Sequence, residues 1–299
     1  MTRAPSAGAR RTATLIGFTA ILMWSLLALF TAASGRVPPF QLAAMTFAIG
    51  GALGAATWPF RSGAIAALRQ LAPVWVLGIG GLFGYHALYF LALRLAPPAE
   101  AGLINYLWPL LIVLFSAFLP GERLRPHHII GALLGLVGTI VLVSGGAQLS
   151  FGVEKLPGYA AAFVAAFVWA TYSVMSRRFA AVPTDAVTGF CLATAFLGAV
   201  CHLLFETTVW PQNGTQWLAV LGLGLAPVGA AFYAWDFGVK RGDIRVLGAA
   251  AYAAPVLSTL FLVLAGYAEP TLVLGLAAAL IAGGGVIAAK DMIFGKATG

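Results

Sequence analysis

The stretch Ala13–Ala33, ATLIGFTAILMWSLLALFTAA, runs without a single charge and decides the fold. A helix needs roughly 20 apolar residues to cross the hydrocarbon core of a bilayer, so this run predicts a membrane span. Arg3, Arg10 and Arg11 precede it, as they would in a secretory leader. The run is longer than a leader's apolar region, and many similar runs follow, which predicts a retained first helix. Breaks at charges and prolines delimit further runs near 40–60, 72–93, 99–119 and 128–146. A second series lies near 157–176, 185–207, 215–238, 246–266 and 271–289. Short breaks at Pro38–Pro39, Pro97–Pro98 and Glu269–Pro270 predict tightly connected helical hairpins.

Composition agrees. Of 299 residues, 61% are hydrophobic and 9% charged, whereas a soluble domain carries about a quarter charged residues. Such a chain cannot cover itself in water, and lipid is its solvent. The 36 glycines fit close helix packing, which in lipid relies on small residues. A net charge of +8 would suit nucleic acid, but the basic residues stand singly or in pairs between apolar runs, so no nucleic-acid partner is expected. Cys191 and Cys201, ten residues apart in one run, would lie about 15 Å apart on a helix, too far for a disulfide.

Ten spans with a cytoplasmic N-terminus sort the charges sharply. Arg3, Arg10, Arg11, Arg61, Arg69, Arg123, Arg125, Arg177, Arg178, Lys240, Arg241, Arg245, Lys290 and Lys296 fall inside, and only Arg36, Arg94 and Lys155 outside. This bias predicts the orientation, with both termini cytoplasmic.

The chain also repeats itself. A shift of 145 lays Phe18–Phe30 on Phe163–Met175 and matches Trp24 with Trp169. A shift of 146 matches Tyr106 with Tyr252, Pro109 with Pro255 and Phe115 with Phe261. The expected fold is all-α and membrane-integral, with ten helices in two five-helix repeats, 1–147 and 148–299, around a central cavity. Five crossings is an odd number, so the second repeat enters the membrane inverted, a transporter device.

Polar and aromatic groups within the spans are the candidates for a site. Tyr85, His86 and Tyr89 lie within a turn of one another and could wall a ligand or join packed helices. Asn105, Tyr106 and Trp108 stand beside Pro109, which lacks an amide and frees the carbonyl of Asn105. Pro255 places a similar break near Tyr252; matched breaks point to a midplane site or simply to curvature. Trp24 and Trp169, with Tyr172 a turn later, lie too deep for the interfacial belt and face either lipid or the pocket. Trp235 and Asp236 belong to Tyr233-Ala234-Trp235-Asp236. Asp236 could serve a proton or a ligand's ammonium group, or form a salt bridge with Lys240 that snorkels to the surface. His86 is a second proton candidate. The spacings Gly50-xxx-Gly54, Gly80-xxx-Gly84 and Gly131-xxx-Gly135 read as packing faces. No phosphate loop, HExxH or GxSxG occurs, so no enzyme, cofactor or metal is expected.

Ala13-Thr14-Leu15-Ile16-Gly17, Asn105-Tyr106-Leu107-Trp108-Pro109 and Tyr233-Ala234-Trp235-Asp236 resemble the drug/metabolite transporter superfamily with its EamA-type repeats. Within it they are most similar to the YddG-type aromatic amino-acid exporters, with Asp236 standing where those carry asparagine. The resemblance covers essentially the whole chain. It implies a multi-pass inner-membrane protein of bacteria, monomeric, that exports aromatic and other apolar amino acids through a central cavity. Export of drugs, purines or other small metabolites is the alternative, and proton exchange is the rival to simple facilitation.

Overall fold

A computed structural model describes residues 7–145, 152–266 and 269–294. Arg3, Lys296 and the expected junction at 147/148 lie outside the described residues. Among the described residues there are ten apolar helices, nine of them long enough to cross a membrane and the last shorter, and no strand. They are α1 (Ala7–Ala33), α2 (Pro39–Phe60), α3 (Ala72–Leu95), α4 (Pro98–Phe118) and α5 (Pro126–Ser144), then α6 (Val153–Arg178), α7 (Ala186–Phe205), α8 (Gly214–Arg241), α9 (Ile244–Leu264) and α10 (Leu272–Ala288). α1 begins six residues before its uncharged run, taking in Arg10 and Arg11, and α8 ends beyond Lys240. Arginine and lysine are good helix formers and let a helix outlast its apolar stretch.

Packing follows the repeat. α1 lies against α8 and α3 against α6, which are exchanged versions of one contact. α2 pairs with α7, α4 with α9 and α5 with α10, each helix meeting its own counterpart. This is the pattern of a two-fold axis between the halves, and with five crossings per half that axis lies in the membrane plane. Glycine allows the closest crossings: a methyl group on Gly17 would stand 3.0 Å from Cα of Gly238, and one on Gly131 would meet the carbonyl of Gly284.

Four helices are interrupted at matched places. Within α3, residues Gly80–Gly84 form one π-helical turn, and in α8 the turn Ala226–Ala230 falls at the same shift of 146. α4 breaks between Pro98–Asn105 and Trp108–Phe115, and α9 between Ile244–Ala250 and Ala253–Leu264. Pro109 and Pro255 stand just after these breaks, where a missing amide costs least. α1 is also broken, between Ala7–Trp24 and Leu27–Ala33, whereas its counterpart α6 runs unbroken over Leu156–Arg178. Gly80 and Gly84 differ from the expectation of a packing face: a side chain at either would meet nothing within 4 Å. They bound the π turn instead, whereas Gly131 and Gly135 do pack, against α10 and Tyr252.

Candidate functional site

The interrupted helices meet at the centre. There Trp24, Trp108, Trp169 and Trp235 form a cluster in which all six ring pairs lie 5.0–6.3 Å apart. Edge-on and tilted geometries dominate, as the ring quadrupole favours. Trp235 is fully buried and donates its indole N–H to Ser173 Oγ at 3.0 Å.

A cavity of about 170 Å³ rests on this layer. Tyr85, His86, Tyr89, Asn105, Tyr106, Trp24, Trp108 and Trp169, named from the sequence, all line it. Leu27, Pro227, Val228, Phe232 and Ala254 complete the wall. None of these five was singled out, because they are ordinary apolar residues. The repeat offered a signal: the shift of 146 carries His86 onto Phe232 and Trp108 onto Ala254.

The remaining candidates lie elsewhere. Tyr172 packs under Trp169, ring centroids 5.2 Å apart, and does not reach the cavity. Tyr252 sits between α5 and α10, in the room left by Gly135. Asp236 lies on the far side of the tryptophans with Lys240 Nζ at 2.9 Å from Oδ1, in the salt bridge that the spacing allowed. That pair is buried and does not snorkel to solvent. Pro109 and Pro255 do not line the cavity; both lie next to residues that do, Trp108 and Ala254.

The π turns set two of the rings. A π turn displaces a carbonyl from the regular ladder. In α3, His86 Nδ1 is 2.7 Å from the carbonyl of Leu82. A carbonyl only accepts, so Nδ1 carries the proton and the neutral ring keeps its lone pair on Nε2. In α8, Trp24 donates to the carbonyl of Pro227 at 3.1 Å. The same backbone device thus orients one ring from each end of the cavity wall.

Polarity is divided between the halves. Asn105 Nδ2 donates to Tyr85 Oη at 3.0 Å, and Tyr85 stacks on Tyr89 with centroids 6.1 Å apart. Asn105 Oδ1 is buried with no partner, an acceptor kept waiting. A buried acceptor without a donor costs about 1–3 kcal/mol, and sites of this kind are where ligands bind. The second half contributes Trp169, Pro227, Val228, Phe232 and Ala254, which form the apolar wall opposite.

One end of the bundle is tied shut. Glu122, between α4 and α5, accepts from Arg10 at 3.1 Å, Arg177 at 2.5 Å and Arg245 at 3.2 Å. Asp243, between α8 and α9, accepts from Arg10 at 3.1 Å and Arg245 at 2.8 Å. Arg177 also caps α8 through the carbonyls of Val239 and Gly242. Burial alone would raise the Asp243 carboxyl, but the hydrogen bonds from Arg245 and the charge of Arg10 prevail and hold it at about 2. The opposite end has a lighter closure: Glu206 accepts the amides of Phe40 and Gln41 and stands 3.5 Å from Arg94. Leu27, Tyr89 and Asn105 lie between the tryptophan layer and that lightly closed end.

The comparisons with known proteins agree with this architecture. The model of the EamA-like transporter family matches twice, over residues 11–144 and 156–290. The chain is 64% identical over 280 residues to the "Aromatic amino acid exporter YddG" of Ancylobacter novellus, covering 93% of this chain and 97% of that one. It is 30% identical over 265 residues to the protein of the same name in Escherichia coli, covering 84% and 87%. The "Pseudopaline exporter CntI" of Pseudomonas aeruginosa is 29% identical over 201 residues. A crystal structure at 64% identity superposes with a TM-score of 0.90 and covers 93% of this chain and 96% of that one. The chain is therefore a multi-pass membrane protein, not an enzyme, and it belongs to the EamA-like transporter family.

Proposed function

We propose that this protein exports aromatic and other apolar amino acids across a bacterial inner membrane by alternating access, driven by the substrate's own gradient. The observation that carries this reading is the two-sided cavity. Tyr85, Asn105 and His86 Nε2 offer hydrogen bonds to a zwitterionic head, while Trp24, Trp108, Trp169 and Phe232 surround an aromatic or aliphatic side chain. The unpaired Asn105 Oδ1 is placed for the α-ammonium group and Tyr85 Oη for the α-carboxylate. Ring contacts and cation–π attraction supply about 1 kcal/mol each. Their sum supports weak, millimolar-range binding (about −4 kcal/mol), which suits a carrier that must release its cargo.

In this reading 1–147 and 148–299 are the two moving halves of a monomer, and both termini are cytoplasmic. The excess of arginine and lysine at the end carrying Arg10, Arg177 and Arg245 supports that orientation. The described state is then closed to the cytoplasm by the Glu122 and Asp243 network. The breaks before Pro109 and Pro255 serve as hinges. The test is uptake of labelled phenylalanine into proteoliposomes, with unlabelled Phe, Trp, Thr, Met and a purine as competitors. The amino acids compete and the purine does not. Competition by the purine alone would assign the cavity to another class of metabolite.

A further inference from the structure

Below the tryptophan layer, toward the tied end, α8 carries two buried charges. Lys240 Nζ lies 2.9 Å from Asp236 Oδ1 and also donates to the carbonyl of Val182 at 2.9 Å. Thr184 Oγ1 donates to Asp236 Oδ2 at 2.7 Å. The two side chains are 1% and 5% exposed. A buried ion pair contributes little net stability compared with apolar residues of the same size, and charges within a span mark function more often than packing. With Tyr172 and Ser176, the pair borders a void of about 10 Å³, room for about one water.

The repeat says what this void is. A shift of 145 carries Leu27, which lines the cavity, onto Tyr172, which lines the void. A shift of 146 carries Tyr89 onto Trp235, Phe90 onto Asp236 and Arg94 onto Lys240. When inverted halves exchange conformations, the cavity closes on one face and opens on the other at the equivalent positions. The void thus adjoins the place where the cavity's counterpart forms, Tyr172 being common to both. On exchange, Asp236 and Lys240 take the places that Phe90 and the half-exposed Arg94 hold here, at the mouth of that counterpart. The two faces are chemically unequal. Phe90 packs on Phe40 and His86, and Arg94 pairs at 3.5 Å with Glu206 at the end of α7, so the equivalent positions on α3 do not pair with each other as Asp236 and Lys240 do.

We propose that Asp236 and Lys240 form a second substrate site, used only when the protein faces the cytoplasm, that captures the zwitterionic head of an amino acid. The α-carboxylate takes Lys240 and the α-ammonium takes Asp236, while the side chain lies on Trp235 and Tyr172. The substrate replaces each partner's charge, so neither is left unpaired. This inference rests on the amino-acid export reading and adds the place of loading.

The test compares the two faces. Everted vesicles present the cytoplasmic face and right-side-out vesicles the outer one. The double variant Asp236→Asn/Lys240→Gln removes both charges together and avoids a lone buried ion. Its half-saturation for phenylalanine rises about tenfold from the cytoplasmic face and changes less than about twofold from the outer face. A folded double variant with an unchanged value at the cytoplasmic face, or an equal rise at both faces, overturns the proposal. Unmodified protein gives an independent test through phenethylamine and 3-phenylpropionate, which each lack one charge. Both compete at least tenfold more weakly than phenylalanine in everted vesicles, and equal competition overturns the loading site. Failure of the export reading looks different: the unmodified protein would move no amino acid from either face.

Discussion

α3 and α8 occupy equivalent places and share one backbone device, a π turn at Gly80–Gly84 and at Ala226–Ala230. Their side chains differ by face. α3 lines the cavity with Tyr85, His86 and Tyr89, and at the equivalent positions α8 has Ala231, Phe232 and Trp235, of which Phe232 lines it. α3 carries Phe90 and Arg94 toward the lightly closed end, and at the equivalent positions toward the tied end α8 carries Asp236 and Lys240. The repeated backbone is symmetric, and the unsymmetric side chains give each face its own chemistry. A carrier needs the first to switch sides and the second to bind a head and a tail in one orientation.

The largest effect on this contrast comes from the shared tryptophan layer. Trp108 is nearly buried, touches the other three rings and has Ala254 as its counterpart. Trp108→Ala removes the ring that closes the layer from the first half. It lowers stability by about 3–5 kcal/mol, read as a fall in melting temperature, and abolishes measurable phenylalanine uptake. Ala254→Gly in the second half leaves uptake within severalfold of the unmodified protein.

Next is Glu122, the hub of the tied end. Glu122→Gln strips the carboxylate from Arg177 and leaves Arg10 and Arg245 with Asp243 alone, at a cost of about 3 kcal/mol. Cysteine labelling from the cytoplasmic side, at a residue introduced near Tyr172, becomes faster as that end opens. The equivalent change at the lightly closed end, Glu206→Gln, leaves that labelling rate unchanged.

Asp243 sharpens the same point through pH. Its carboxyl is held at about 2, below the ordinary 3.8, so it stabilises the fold fully above the unfolded value and loses that contribution as pH falls through about 2. The contribution is about 2 kcal/mol. Melting temperature in detergent therefore declines below pH 4 in the unmodified protein, and Asp243→Asn flattens that decline.

The smallest effect tests the polar wall. Asn105→Leu fills the same space without an acceptor, and half-saturation for phenylalanine rises about tenfold from the outer face while melting temperature holds or rises.

Much of the fold was legible in advance for a physical reason. Bilayer thickness imposes span length, and the positive bias and the repeat restrict topology. Eight cavity residues were legible because polar and aromatic groups at membrane depth are conspicuous against an apolar background. Tyr252 shows the limit: it matches Tyr106 in sequence, yet Gly135 provides it a packing niche that only three-dimensional contact reveals. The π turns have no local signature beyond glycine and proline. The tied end was equally hidden, since Arg10, Glu122, Arg177, Asp243 and Arg245 are scattered along the chain and converge only on folding.

The most direct test of the account is a structure of the protein with phenylalanine bound. The account predicts the α-ammonium within hydrogen-bond distance of Asn105 Oδ1, the carboxylate toward Tyr85, and the ring among Trp24, Trp108, Trp169 and Phe232. A head group turned toward Phe232 and Val228, or phenylalanine bound outside this cavity, would contradict it.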